Sequence, residues 1–164
     1  MTERIEQLIE ALRDELKEYG EMLALLDEQQ GHLMSRRADG VLESVSRIND
    51  QALVLKRTRT RREETQHLLA CAVGHAECTG LFVLAQYLPA DYRPLLQALV
   101  NENNQLLGRV QKRGRQNHLL LSRSVELMQQ FISTLNPGKG ATMYGGDGAV
   151  HTNSPSNALY EALG

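Results

Sequence analysis

Apolar side chains return at three- and four-residue steps through most of this chain, the spacing that lines up one face of an α-helix. The first seam, Ile5, Leu8, Leu12, Leu16, Tyr19, Leu23, Leu26, Gln30 and Leu33, predicts a helix from Thr2 to about Ser35. Thr2 suits its N-cap, and Glu3 and Glu6 place negative charge at the positive end of the helix dipole. After Leu16 the steps form heptads. The four-residue step from Leu12 to Leu16 is a stutter that should locally unwind a supercoil. Arg36, Arg37, Ala38, Asp39 and Gly40 interrupt the pattern, with the basic pair suited to a helix C-terminus and Asp39 to the next N-cap, so a helical hairpin is expected here. A second seam follows through Val41, Val45, Ile48, Ala52, Leu55, Arg59, Arg62, Gln66, Leu69 and Val73, polar in its middle.

Residues 74–80 end this second helix. Thr79 is placed to cap a short apolar helix over residues 81–88, stopped by Pro89. Asp91 is expected to cap the third long helix, whose first turn tolerates Pro94 because the missing N–H would have had no partner there. Its stripe is Leu95, Leu96, Leu99, Val100, Leu106, Leu107, Val110, Leu121, Val125, Met128, Ile132 and Leu135. Such a helix would reach roughly 65 Å at 1.5 Å per residue, and it needs partners along its length. Gly108, Gly114 and the polar centre Arg109, Lys112, Arg113, Arg115 and Asn117 leave two readings: a bend, or a second face for the acidic first helix. Asn136, Pro137, Gly138, Lys139 and Gly140 stop the helix, and the remainder is rich in Gly, Ser, Asn and Pro. The expected fold is all-α: an elongated antiparallel bundle of three long helices with a short helix between the second and third. Residues 1–135 form the helical domain and residues 136–164 a C-terminal tail.

Composition narrows the function classes. The chain is 41% hydrophobic but only 4% aromatic, with no Trp and two Phe, Phe82 and Phe131. That argues against an aromatic-lined small-molecule pocket or a base-stacking platform. A net charge of -2 gives no global attraction to nucleic acid or anionic lipid. The opening run is acidic and amphipathic, so no signal peptide is expected. No apolar run is long enough for stable membrane insertion, and the chain reads as cytoplasmic.

The basic run Lys56, Arg57, Arg59, Arg61 and Arg62 resembles a nucleic-acid patch until the hairpin is folded back near Ala38. That fold places Lys56 near Glu21, Arg59 near Glu18 and Arg62 near Glu15. Nine acidic residues between Glu3 and Glu28, against three basic ones, can then fix the register of an antiparallel pair without a ligand. His67, Cys71, His75 and Cys78 share one helical face, but four residues strung along a straight helix of about 16 Å do not enclose one zinc ion, and small, semi-polar packing is the expected role. No metal, cofactor or catalytic residue is assigned, since the sequence has no phosphate loop, no nucleophile elbow and not the two Glu-x-x-His motifs of the di-iron bundles.

The apolar end of the third helix carries more than one stripe. Leu119, Leu120 and Leu121 are consecutive, and Val125, Leu127, Met128, Phe131, Ile132 and Leu135 follow. The surplus would dock an amphipathic helix of another protein, or pack on residues 81–88, or pair with a second copy in a homodimer.

Taken in order, these features resemble the FlgN family of flagellar export chaperones. The carrying residues are Leu12, Glu15, Leu16 and Tyr19 with Leu23, Leu25 and Leu26; the break and Arg-rich second helix; Asn117, His118, Leu119, Leu120 and Leu121; and the ending Met143, Tyr144, Gly145, Gly146, Asp147 and Gly148. The resemblance implies a non-enzymatic cytoplasmic chaperone of hook-associated proteins. Leu121, Val125, Met128, Phe131, Ile132 and Leu135 would then bind the client, and Tyr144 would dock at the flagellar export gate. It implies no nucleic acid as partner. The Gly145–Gly146 pair and the tail to Gly164 depart from the family pattern. A structural coiled-coil protein whose basic segment contacts nucleic acid is the alternative.

Overall fold

The computed structural model describes residues 1–75 and 80–135. Those residues are helical apart from short turns, in the order α1 (Thr2–Met34), α2 (Ala38–Ala72), α3 (Leu81–Gln86) and α4 (Arg93–Leu135). The chain divides into two compact units, Met1–Leu119 and Leu120–Gly164.

The helix ends differ in chemistry from those expected. Met1, not Thr2, is the N-cap of α1; Arg37, not Asp39, precedes α2; and Gly80, not Thr79, precedes α3, none of them with a side-chain capping bond. The turn between α1 and α2 is closed by backbone instead. Arg36 N–H donates to Leu33 O and Arg37 N–H to His32 O, the paired bonds of a Schellman ending. That ending needs a left-handed residue, and Arg36 supplies it at φ 53°. Gly40 is therefore not the turn residue. It lies in the first turn of α2, where a Cβ would stand 2.6 Å from His32 Nδ1, so its role is close approach. The α2 C-terminus uses the same ending with a conventional residue: Gly74 has φ 84°, and His75 N–H reaches Ala70 O. α3 is one and a half turns long, shorter than the expected 81–88, and α4 begins at Arg93, two residues past the expected cap Asp91.

α1 and α2 run antiparallel, matched by charge. Arg62 Nε bonds Glu15 Oε2 at 2.9 Å, as the folded-back hairpin requires, Arg61 reaches Asp14 at 3.1 Å, and Arg47 reaches Glu28 at 2.8 Å. Arg59 instead holds Glu63 on its own helix, and Glu18 accepts from Gln51. The α2 seam also departs from the expected positions. Val45 and Ala52 are exposed while Ser44 is buried and Gln51 half-buried, so α2 meets α1 through a largely polar face.

The apolar core lies where the start of α1 (Ile5, Leu8, Ile9, Leu12), the end of α2 (Leu69, Ala70), α3 with the residue after its end (Leu84, Ala85, Leu88), and the start of α4 (Leu96, Leu99, Val100) converge. Farther along, α4 follows α1 in the same direction through polar contacts. Asn103 Nδ2 donates to Leu12 O at 3.0 Å and Asn117 Nδ2 to Leu26 O at 2.7 Å. The two asparagines stand two heptads apart, as do the carbonyls they meet, so both bonds specify the same register. Arg113 adds an ion pair with Asp27 and a hydrogen bond to Gln30. The polar centre of α4 is thus a second face for acidic α1, with no break in the helix. Those bonds are costly: Asn103 Oδ1 and Asn117 Oδ1 are buried without a partner, which favours uniqueness of packing over stability.

Candidate interaction surface

Within the unit Leu120–Gly164, the described part is the end of α4. At 100° per residue, Leu121, Val125, Met128, Ile132 and Leu135 fall on one line, and Leu120, Leu127 and Phe131 on a second beside it, together an apolar arc of roughly 160°. Ser122, Arg123, Glu126, Gln129, Gln130 and Ser133 occupy the opposite side. The helix is amphipathic, but its apolar arc is open: Leu127 is 66% exposed, Phe131 61%, Ile132 59% and Leu135 68%. Leu121 is half-buried, unlike the others of its line. Ser124 Oγ donates to Leu120 O, and Ser133 Oγ and Thr134 Oγ1 to Gln130 O, so these three hydroxyls are satisfied by the helix backbone.

Such an arc suits a partner that is itself a helix with an apolar stripe, because side chains at three- and four-residue spacing interdigitate with the same spacing on another helix. Met128 and Phe131 give it different kinds of fit: an unbranched thioether that adapts its shape and a ring that supplies large area. Leu120 and Leu127 widen the arc beyond the stripe. The sequence signal for them was the unbroken run Leu119 to Leu121 followed by apolar residues one position off the seam.

Elsewhere the charged residues serve the fold. Glu15, Tyr19 and Arg62 form a buried cluster, in which Tyr19 OH donates to Glu15 Oε1 at 3.1 Å and Arg62 to Glu15 Oε2. Burial, reinforced by the neighbouring Glu15 carboxylate, pushes the Tyr19 phenol up to about 12. Arg47, by its hydrogen bond, holds the Glu28 carboxyl below its ordinary value. On the His and Cys stripe, His67 Nε2 and Cys71 Sγ are 3.6 Å apart, and His75 meets Tyr87 in a tilted ring contact with centroids 4.0 Å apart. Among the described residues no three His, Cys, Asp or Glu side chains are disposed to hold a metal ion, and no helix is long and apolar enough to cross a membrane. Cys78 and Tyr144 lie outside the described residues.

Compared with known families, residues 1–152 match the model described as FlgN protein. The chain belongs to the FlgN family. This is a family of flagellar export chaperones, and the match takes in all four helices. Neither comparison with curated proteins nor comparison with solved structures finds a match. For a FlgN-family chain, an open apolar arc at the end of the last helix is the feature to be explained.

Proposed function

We propose that this FlgN-family protein is a cytoplasmic, non-enzymatic chaperone that binds the C-terminal helical region of hook-associated proteins. It keeps them unassembled and delivers them to the flagellar type III export gate. Leu121, Val125, Met128, Phe131, Ile132 and Leu135 form the client-binding face, and Tyr144 docks at the gate. The chain would act as an elongated antiparallel bundle over residues 1–135 with a tail over residues 136–164, working alone or as a homodimer. The observation that carries this reading is the exposure of the apolar arc from Val125 to Leu135.

Energetics suit a transient complex. Each apolar side chain fully buried against a client contributes about 1.5–3 kcal/mol, and association costs about 4–15 kcal/mol in lost freedom, with more for any segment that orders on binding. Six side chains at this scale, about 9–18 kcal/mol, are of the same size as that cost, which suits a complex that releases at the gate. Nucleic acid is the weaker reading, because Arg59, Arg61 and Arg62, the heart of the basic run, are occupied by Glu63, Asp14 and Glu15.

The decisive experiment pairs two variants in pull-downs of purified hook-associated proteins. Phe131→Asp with Ile132→Asp is expected to abolish client capture with the circular dichroism spectrum unchanged. Loss of helicity would instead place the pair in a core. Tyr144→Ala is expected to keep client capture and reduce export of hook-associated proteins in motile cells, and equal loss of both would refute the division of labour.

A further inference from the structure

The two basic stretches of this chain have different fates. On α2, Arg59, Arg61 and Arg62 each hold a carboxylate of the same chain. On α4, the run from Asn103 to Val125 contains Arg109, Lys112, Arg113, Arg115 and Arg123 and no acidic residue. Of the cations in the centre of α4, Arg113 has partners, Asp27 and Gln30, while Arg109 and Lys112 have none among the described residues. Both are exposed. They border an open groove between α1 and α4, lined by Leu23, Asp27, Arg109, Lys112, Arg113 and Gln116. Leu23 gives the groove an apolar floor, and the cations form its rim.

We infer that this groove docks an acidic helical segment of a protein partner. Arg109, Lys112, Arg113 and Gln116 recur at three, four and seven residues, which puts them along one face of α4 over roughly 10 Å. Carboxylates at the same intervals on a second helix meet them in register, as charged flanks do beside a coiled-coil seam. Asp27 already holds Arg113, so that guanidinium is oriented before a partner arrives. A continuous polyanion such as DNA is disfavoured at this place by Asp27 in the groove and by the acidic surface of α1 that borders it. The groove lies wholly within Met1–Leu119 and uses none of the residues assigned to client binding.

The test uses the full chain and a fluorescein-labelled synthetic helix of roughly three heptads, with Leu at one seam position per heptad and Glu on both flanks. Binding is read by anisotropy at low and at high salt. The expected result is saturable binding that weakens with salt and falls about tenfold in Arg109→Glu with Lys112→Glu. The same peptide with Lys in place of Glu should ignore the native chain and bind that double variant. Lys56→Glu with Arg57→Glu, exposed cations on α2, should leave binding unchanged. Because all four positions are solvent-facing, the thermal transition of each variant serves as the folding control. No binding at low salt, an undiminished double variant, loss caused by the α2 pair instead, or displacement of the peptide by a short DNA duplex at lower concentration than by unlabelled peptide would each overturn the assignment.

Discussion

Helix α4 carries a three-four stripe through two settings. Toward its start Leu96, Leu99, Val100, Asn103 and Asn117 are buried; toward its end Val125, Met128, Phe131, Ile132 and Leu135 are more than half exposed. Spacing alone does not tell these apart, since it describes the helix and not its surroundings. What differs is the kind of residue on the stripe. The covered part admits asparagine where a carbonyl of α1 waits to accept a bond, and it narrows to one line of contact. The open part has one polar residue within its arc, Ser124, whose hydroxyl is satisfied by Leu120 O, and it spreads sideways through Leu120, Leu127 and Phe131. A covered stripe tolerates polar exceptions where the neighbouring helix supplies the matching group, whereas the open stripe is broad and almost wholly apolar.

The largest test of that contrast is truncation at matched positions. Leu96 is fully buried, and Leu96→Ala should destabilise the fold by about 2–5 kcal/mol, the sum of lost transfer energy and the cavity left behind. Ile132→Ala, at 59% exposure, should stay within about 0.5 kcal/mol. Chemical denaturation with a common slope checks both. A large cost at Ile132 would mean that the end of α4 is a buried face of the folded chain, and the contrast between the two settings would disappear.

Much of this was readable beforehand. The order and type of the four helices follow from the spacing and from the breaks at residues 36–37, 74–80 and 89. The meeting of Arg62 with Glu15 follows from folding the hairpin back on itself. What escaped was set by contacts between helices. On α2 the apolar Val45 looks like a core residue and the polar Ser44 like a surface one, yet Ser44 is the buried one. Its hydroxyl is satisfied by Val41 O at 2.7 Å, so polarity ceased to mark the outside. The caps failed for a related reason: backbone bonds at Arg36 and Arg37 close the turn, and the side chains suited to capping were not needed. Asn103 and Asn117 had a signal that went unused, two polar residues two heptads apart on an otherwise apolar stripe. The open arc at the end of α4 was legible as a surplus, because one neighbouring helix covers one line of side chains and the sequence offers two.

A smaller effect separates covered from open phenols. Tyr19 is buried against Glu15, while Tyr87 is about half exposed. With the folded Tyr19 value raised to about 12 from an ordinary 10.0, the sign is fixed: the neutral phenol is favoured in the folded chain, so its contribution is fully present below pH 10 and lost as pH rises toward 12. Absorbance titration at alkaline pH should show Tyr19 ionising late, near pH 12. Tyr19→Phe should remove that late step. A Tyr19 that ionises near the ordinary phenol value of 10.0 would show that water reaches the α1–α2 seam, and the covered setting would be less dry than its burial indicates.

The smallest effect is the sharpest because its sign decides. The last turn of α4 contains no basic residue, although the carbonyls left without partners at a helix C-terminus favour a positive charge there. Leu135→Lys places an ammonium at that end. If Leu135 faces solvent in the free chain, the substitution removes no packing and gains the dipole interaction, about 0.3–1 kcal/mol in favour of the fold at low salt and less at high salt. If the face were covered, the same change would bury a charge or tear a contact and cost more than about 1 kcal/mol. A salt-dependent rise in stability, together with weaker capture of hook-associated proteins, is the expected pair of outcomes. It would mean that a residue stabilising the free protein had been passed over for one that is useful only when a partner arrives.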